Sequence, residues 1–238
     1  MIVVSMRTHQ LKPESSAYVW DQIWAGDIYA WPAERLQRAQ RRANAFSLER
    51  FITPNAAILD IGCGSGELLG ILEESSRLMI GLDRSTTALN LARGRSAAHA
   101  HFVAGLAEAL PLPNDSFDNI IAFGILEHVQ DYQRLISEIY RVMKPGATAF
   151  ISSSNAWSLL QLKNCLLSVL GKYRYGFQKN WTAFDLEALL QERFQIERKF
   201  VLQADSDMRL IAILDGMVAR FVSNWGRYIC VVVSKRDG

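Results

Sequence analysis

The stretch "AAILDIGCGSGELL", residues 56–69, is an apolar run that ends on an acid and then breaks into glycines at 62, 64 and 66. The run is short and bounded by turn residues, the pattern of a strand buried on both faces. Glycines have no Cβ, so the chain can turn tightly there and a guest can come close to its backbone. A helix is expected to begin at Gly66, so the segment reads as strand, turn, helix.

The same alternation continues downstream. "RLMIGLD" (77–83), "AHFVAG" (100–105), "FDNIIAFGIL" (117–126) and "ATAFISSS" (147–154) read as strands. Helices are expected at "GELLGILEES", "TTALNLARGRSA" and "DYQRLISEIYRVMK", the last stopped by Pro145-Gly146. Strands alternating with helices across short connections predict an α/β doubly wound, mostly parallel sheet. Residues 155–180 interrupt the alternation with an apolar helix and a basic-aromatic loop. A helix N-capped by Thr182 resumes it, followed by strand "FQIERKFVL", a helix over 207–222, and strand "GRYICVVVSK". The short return to that seventh strand predicts an antiparallel, hairpin-like partner for the sixth. Residues 15–50 read as two short helices divided near Gly26 and Pro32, with Trp20, Trp24, Ile28 and Trp31 on one face. The organisation expected is one domain: 1–50 a helical lid, 51–154 the core, 155–180 a cap insertion, and 181–238 the rest of the sheet.

Composition narrows the classes. The 238 residues are half apolar and carry a net charge of +2, so no strong field draws the chain to nucleic acid or anionic lipid. Cys63, Cys165 and Cys230 are odd in number and widely spaced, which fits reduced thiols in the cytoplasm. The N-terminal residues lack a secretory h-region, and no apolar run is long enough to span a membrane.

The glycine turn departs from the dinucleotide and Walker patterns, because its third glycine comes early and Glu67 follows it. A carboxylate there would repel a diphosphate. Asp83 ends the second strand, seventeen residues past Gly66, where an acid can accept two ribose hydroxyls. The turn-capping reading of that aspartate is the bland alternative. Together the features suggest a nucleoside without phosphate, for which S-adenosylmethionine is the candidate.

Four segments in order, "ILDIGCGSGELL", "GLDRSTTALNLAR", "AEALPLPNDSFDNIIAFGILEHV" and "EIYRVMKPGATAFIS", resemble the successive motifs of the class I S-adenosylmethionine-dependent methyltransferases. The subgroup it resembles is the small-molecule one that includes ubiquinone-biosynthesis enzymes, and residues 56–153 carry the likeness. The resemblance implies a Rossmann-like sheet of seven strands with an antiparallel last strand. It implies that Asp60 and the main chain of Gly62, Cys63 and Gly64 hold the methionine part and Asp83 the ribose, with Gly66 also among the cofactor-binding residues. Arg84 would lie by the adenine, Leu106 and Ala107 at its edge, and Phe123 and Gly124 near the amino acid moiety. Where many relatives have an Asp for the adenine amino group, this chain has Leu106.

Methyl transfer from a sulfonium needs alignment and water exclusion, and needs a base only if the acceptor must lose a proton. His128, after the fourth strand, is the candidate base; packing or capping is its alternative. Glu127 reads as a solvated or cofactor-proximal acid. Trp20 and Trp24, with Tyr18, Tyr29 and Trp31, are expected to pack on the sheet and to roof the pocket. Leu159, Arg174 and Tyr175 are expected to wall the acceptor, with Lys172, Arg174 and Lys179 meeting an anionic one. Arg35, Arg38, Arg41 and Arg42 alternate with apolar residues as an ordinary amphipathic helix does. For the 208–222 helix a membrane contact is the alternative, but its short length and Asp215 favour burial or a homodimer contact. The resulting expectation is methylation, foremost O-methylation, of a small organic acceptor, without nucleic acid or a membrane span. An RNA methyltransferase and a non-catalytic S-adenosylmethionine-binding protein are the alternatives.

Overall fold

A computed structural model describes residues 13–26, 48–72, 76–94, 100–173, 177–202 and 209–236. Its strands are β1 (Ala56–Ile61), β2 (Ser76–Asp83), β3 (Ala100–Ala104), β4 (Phe117–Phe123), β5 (Met143–Ser154), β6 (Phe194–Leu202) and β7 (Tyr228–Lys235). They form one sheet in the order β3-β2-β1-β4-β5-β7-β6, with β7 antiparallel to both β5 and β6. The helices are α1 (Pro13–Ala25), α2 (Glu67–Leu72), α3 (Thr86–Arg93), α4 (Tyr132–Val142), α5 (Leu159–Val169), α6 (Ala183–Gln191) and α7 (Arg209–Ala219).

All six residues of β1 are buried, as its apolar run requires. Successive side chains point to opposite faces, so the strand feeds two cores at once. Leu59 and Ile61 pack with Leu135 and Ile139 of α4 and Leu186 and Leu190 of α6. Ile58 packs with Leu69 and Leu72 of α2 and Leu89 of α3. Helix starts are set by capping side chains. Ser85 Oγ accepts the Ala88 amide, Asp131 the Arg134 amide, and Thr182 forms a reciprocal capping box with Asp185.

Two boundaries differ from the sequence expectation. Helix α4 ends at Val142 rather than at Pro145, and Met143 enters β5 at once. Met143 and its partner Phe117 are both buried, so the core draws the chain into the sheet before the proline is reached. Pro145 and Gly146 then sit where the β4–β5 register shifts. Strand β4 stops at Phe123, and Gly124, at φ 63°, turns the chain into a short 3-10 turn over Leu126–His128. Strand β7 runs antiparallel to β6, as its short return implies, and lies between β6 and β5.

Of the expectation that the 208–222 helix is buried or forms a dimer contact, burial holds only in part. Asp215 is buried, but Ile213, Leu214, Met217 and Phe221 are exposed. No helix among the described residues is long and apolar enough to cross a membrane. Tyr29, Trp31 and Arg35 to Arg42 lie outside the described residues, as does the side chain of Tyr18.

Because Leu59 is enclosed between helices on one sheet face, Leu59→Ala should lower the free energy of unfolding by about 2–5 kcal/mol. Urea denaturation read by circular dichroism would measure the loss.

Candidate active site

The carboxyl ends of β1, β2, β4 and β5 border a cavity of about 590 Å³. In a doubly wound sheet this edge is where strand order reverses and ligands settle. The turn after β1 is fastened to its neighbour: the amides of Gly62 and Cys63 donate to the Leu82 carbonyl at 2.7 and 3.0 Å. Gly62 and Gly64 have φ of 76° and 55°, which disfavour any side chain. A Cβ at Gly62 would stand 2.9 Å from Ile125, and one at Gly64 would stand 2.6 Å from the Trp24 ring. The glycine at 64 is therefore kept bare by an aromatic of the chain's own N-terminal helix. Gly66 does not line the cavity. A Cβ on it would press at 3.2 Å on Ala92 and on the Phe102 ring, so this glycine serves helix packing.

Asp83 ties these parts together. Its Oδ2 accepts the Gly64 amide at 2.9 Å and its Oδ1 the Ser85 amide at 2.8 Å. The Ser85 hydroxyl donates in turn to Asp21 of α1 at 2.5 Å, and the Thr87 amide reaches the same oxygen at 3.2 Å. Asp21 thus sits at the N-terminus of α3, where the helix dipole favours an anion. This link lays α1 over the cavity, with Trp20 and Trp24 in its lining and the Trp20 ring edge-on to His128 at 4.9 Å between centroids.

The electrostatics of the β1–β2 end are one-sided. Asp60, Glu67 and Asp83 all line the cavity. Burial, then the charges of Asp83 and Glu67, push the Asp60 carboxyl up from 3.8 to about 7. Burial also raises Asp83, against the amide hydrogen bonds of Ser85 and Gly64 that favour its charged form. Burial pushes the Cys63 thiol up, so it stays protonated and acts as a small apolar group. Arg84, Leu106, Ala107, Phe123 and Gly124 complete this end.

The other end is built from β4, β5 and the insertion. Glu127 is buried, not solvated: its carboxylate accepts from the hydroxyls of Ser153 and Ser154 at 3.0 and 2.8 Å and from the Ser154 amide at 3.1 Å. His128 lines the cavity with Nδ1 3.1 Å from the Phe177 carbonyl oxygen. The insertion contributes Leu160, Gln161, Asn164, Tyr173 and Gln178. Gln178 Nε2 donates to Gln161 at 3.1 Å, the Tyr173 hydroxyl donates to Gln178, and Gln161 donates to Asn180. Composition and charge gave no sign of this amide network, since its members are brought together only by the fold of the insertion. Arg227 and Tyr228, at the start of β7, also line the cavity and were likewise not singled out from the sequence.

Several expected acceptor contacts are placed elsewhere. Leu159 is absent from the lining; its amide donates to Asp215 at 2.9 Å, and Leu160 takes the cavity side. The Lys179 ammonium lies 3.7 Å from the Tyr132 ring centroid and 3.9 Å from that of Trp181, which removes it from the cavity wall. Lys172 is exposed and outside the lining. Arg174 and Tyr175 lie outside the described residues.

Comparison with known proteins agrees with this geometry. Residues 59–151 match the methyltransferase domain family. They form a class I S-adenosylmethionine-dependent methyltransferase domain. The chain is 32% identical over 119 residues to a malonyl-[acyl-carrier protein] O-methyltransferase of Serratia marcescens, covering 50% of this chain and 46% of that one. It is 30% identical over 166 residues to a ubiquinone biosynthesis O-methyltransferase of Chelativorans sp., covering 68% and 58%. The chain thus spans about half the length of the curated relatives it matches. A Thermotoga maritima methyltransferase, described as a possible histamine N-methyltransferase, superposes with a TM-score of 0.70 at 18% identity over 93% of this chain and 100% of that one. That likeness is one of fold.

The residues at the β1–β2 end fit the cofactor of this family. Gly62 and Gly64 line the cavity without side chains, the three acids suit a cation with hydroxyls, and they oppose a phosphate. Two outcomes follow from this chemistry. Bound cation stabilises the Asp60 carboxylate, so binding should release a proton. S-adenosylmethionine affinity measured by calorimetry should rise up to about tenfold per pH unit between about pH 5 and 7 and level off above. Asp60→Asn should flatten that rise. For the empty protein the sign is opposite. Asp60's raised value gives a stability contribution that is full below about pH 4 and lost as pH rises through about 7. Leu106 is 42% exposed at the cavity wall. If the adenine amino group lies there, Leu106→Asp should tighten S-adenosylhomocysteine binding about five- to tenfold by adding one acceptor, with an unchanged melting temperature.

Proposed function

We propose that this chain transfers the methyl group of S-adenosylmethionine to a hydroxyl of a small, polar organic acceptor. The observation that carries the choice of oxygen is the contact between His128 Nδ1 and the Phe177 carbonyl. A carbonyl oxygen only accepts, so Nδ1 carries a proton, and in the neutral ring the lone pair is then on Nε2. A neutral imidazole with a fixed tautomer is suited to take a proton from a hydroxyl, which is a poor nucleophile until that proton leaves. The bound cofactor supplies an already activated methyl on its sulfonium. The chain's own work is then to orient, to desolvate and to accept a proton.

Asp60, Asp83 and the Gly62–Gly64 backbone fix the donor at the strand tips. Trp20 and Trp24 roof the space beside them and exclude water, which protects in-line alignment. Gln161, Asn164, Tyr173 and Gln178 offer neutral hydrogen-bonding groups to the acceptor, and Arg227 offers a cation nearby. The names of the curated relatives, a malonyl-acyl-carrier-protein and several ubiquinone O-methyltransferases, support oxygen as the acceptor atom.

The test compares phenol, alcohol and carboxylate acceptors with their amine analogues, using cofactor labelled in its methyl group. His128→Gln should lower kcat by about 10²–10⁴-fold. S-adenosylhomocysteine affinity should stay within about twofold, since the residue lies outside the cofactor end. Full turnover by that variant, or a preference for amines, would overturn the reading.

A further inference from the structure

The loop that enters β7 is held by hydrogen bonds from both sides. Asn155, just past β5 and 1% exposed, donates its side-chain amide to the carbonyls of Asn224 and Gly226, each at 2.8 Å. Its main-chain amide donates to the Arg227 carbonyl at 2.9 Å, and the Arg227 amide donates to the Leu202 carbonyl at 2.9 Å. The Gly226 amide donates to the Trp157 carbonyl at 3.1 Å. A buried amide side chain engaged in this way fixes the loop, because another placement would leave buried polar groups unsatisfied. What the loop presents to the cavity is Arg227, half-buried and in the lining. Its guanidinium carbon lies 5.1 Å from the ring centroid of Tyr228, which lines the same cavity.

His128 stands at this end too. Its neighbour Glu127 accepts the Ser154 hydroxyl at 2.8 Å, and Ser154 pairs with Tyr228 across β5 and β7. The acids that touch these elements are engaged with neutral donors. Glu127 is held by Ser153 and Ser154, and Asp215 by the Leu159 amide and the Trp225 indole N–H. The other arginine of the lining, Arg84, lies beside Asp83 at the cofactor end, where its charge favours the ionised carboxyl. Around Arg227 the wall is built from neutral groups, among them Gln161, Asn164, Tyr173 and Gln178. One guanidinium in such a wall suits a single negative charge, and its planar fork matches the two oxygens of a carboxylate. A phosphate dianion would be half-compensated there and would meet the field of Asp60, Glu67 and Asp83 in the same cavity.

We propose that Arg227 is a subsite for a carboxylate of the acceptor, which makes the substrate a hydroxy acid. This rests on the reading of hydroxyl methylation above and adds the group that selects the acceptor. The carboxylate anchors at β7, and the hydroxyl remains free to meet His128 and the methyl donor.

The full chain, saturated with S-adenosylhomocysteine, is titrated in a calorimeter with para-hydroxybenzoate, para-hydroxyphenylacetate and para-hydroxycinnamate, and with the primary amide of each. The three acids place the carboxylate at increasing distance from the hydroxyl. At least one should bind about tenfold or more tightly than its own amide. Arg227→Met should bring that ratio to about one, and Arg227→Lys should recover part of it, since the charge returns without the fork. S-adenosylhomocysteine affinity and melting temperature matching the wild type show that each variant is folded. The absence of any acid preferred over its amide, or a preference that survives Arg227→Met, would overturn the proposal. So would phenyl phosphate bound more tightly than every acid. These titrations need no turnover, so the subsite can fail while His128→Gln still abolishes methyl transfer, and it can stand where the hydroxyl reading falls.

Discussion

The Asp83 carboxylate is the joint on which the rest of the site hangs. One oxygen holds the Gly64 amide and so sets the turn after β1; the other holds the Ser85 amide and so starts α3. Through Ser85 the same joint reaches Asp21 and with it the whole of α1. Three elements far apart in the chain are thereby positioned by one side chain, and all three border the same cavity. A charged group can do this because hydrogen bonds to a carboxylate are stronger than those between neutral groups. Burial works against the charge, so the amides that crowd around Asp83 serve its ionisation as much as it serves their placement.

That arrangement leaves the β1–β2 end of the cavity with more negative charge than its surroundings compensate. Asp60 shows the strain in its raised titration, caused by burial and by two like charges. In a protein built only for stability, an apolar residue at 60 would remove this unfavourable term. Its presence at the tip of a fully buried strand is intelligible as a site held ready for a cation, where the ligand's charge relieves what folding imposed. The same field disfavours phosphate, which separates this turn from the dinucleotide cradle it resembles in outline.

The cofactor half of the molecule was legible because it rests on backbone geometry. Positive φ at Gly62 and Gly64, a buried period-two run and an acid at a strand tip all leave marks in the residue types themselves. The doubly wound, mostly parallel sheet followed from the alternation of elements. The failures have a common cause, which is tertiary packing that local pattern does not encode. Gly64 looked like space for a guest and is also space for Trp24. Gly66 looked like part of the same cradle and packs against α3 and β3. Lys179 looked like a ligand for an anion and is spent on two aromatic rings. The α7 pattern looked like core and turns its apolar side outward, because its polar anchor, Asp215, faces inward to meet α5.

The acceptor half follows a different logic. Its wall is an insertion between β5 and α6, supported by a network of amides and a tyrosine rather than by the sheet. Such a wall can change its hydrogen-bonding pattern without disturbing the glycine turn, Asp83 or the strands that carry them. The sheet edge carries the glycine turn and the acids, while the far wall of the cavity comes from a segment the doubly wound sheet does not need. His128 stands at the boundary: β4 places its backbone, and the carbonyl of Phe177, from the insertion, fixes its tautomer. The insertion thereby contributes both a wall of the cavity and the carbonyl that orients the His128 ring.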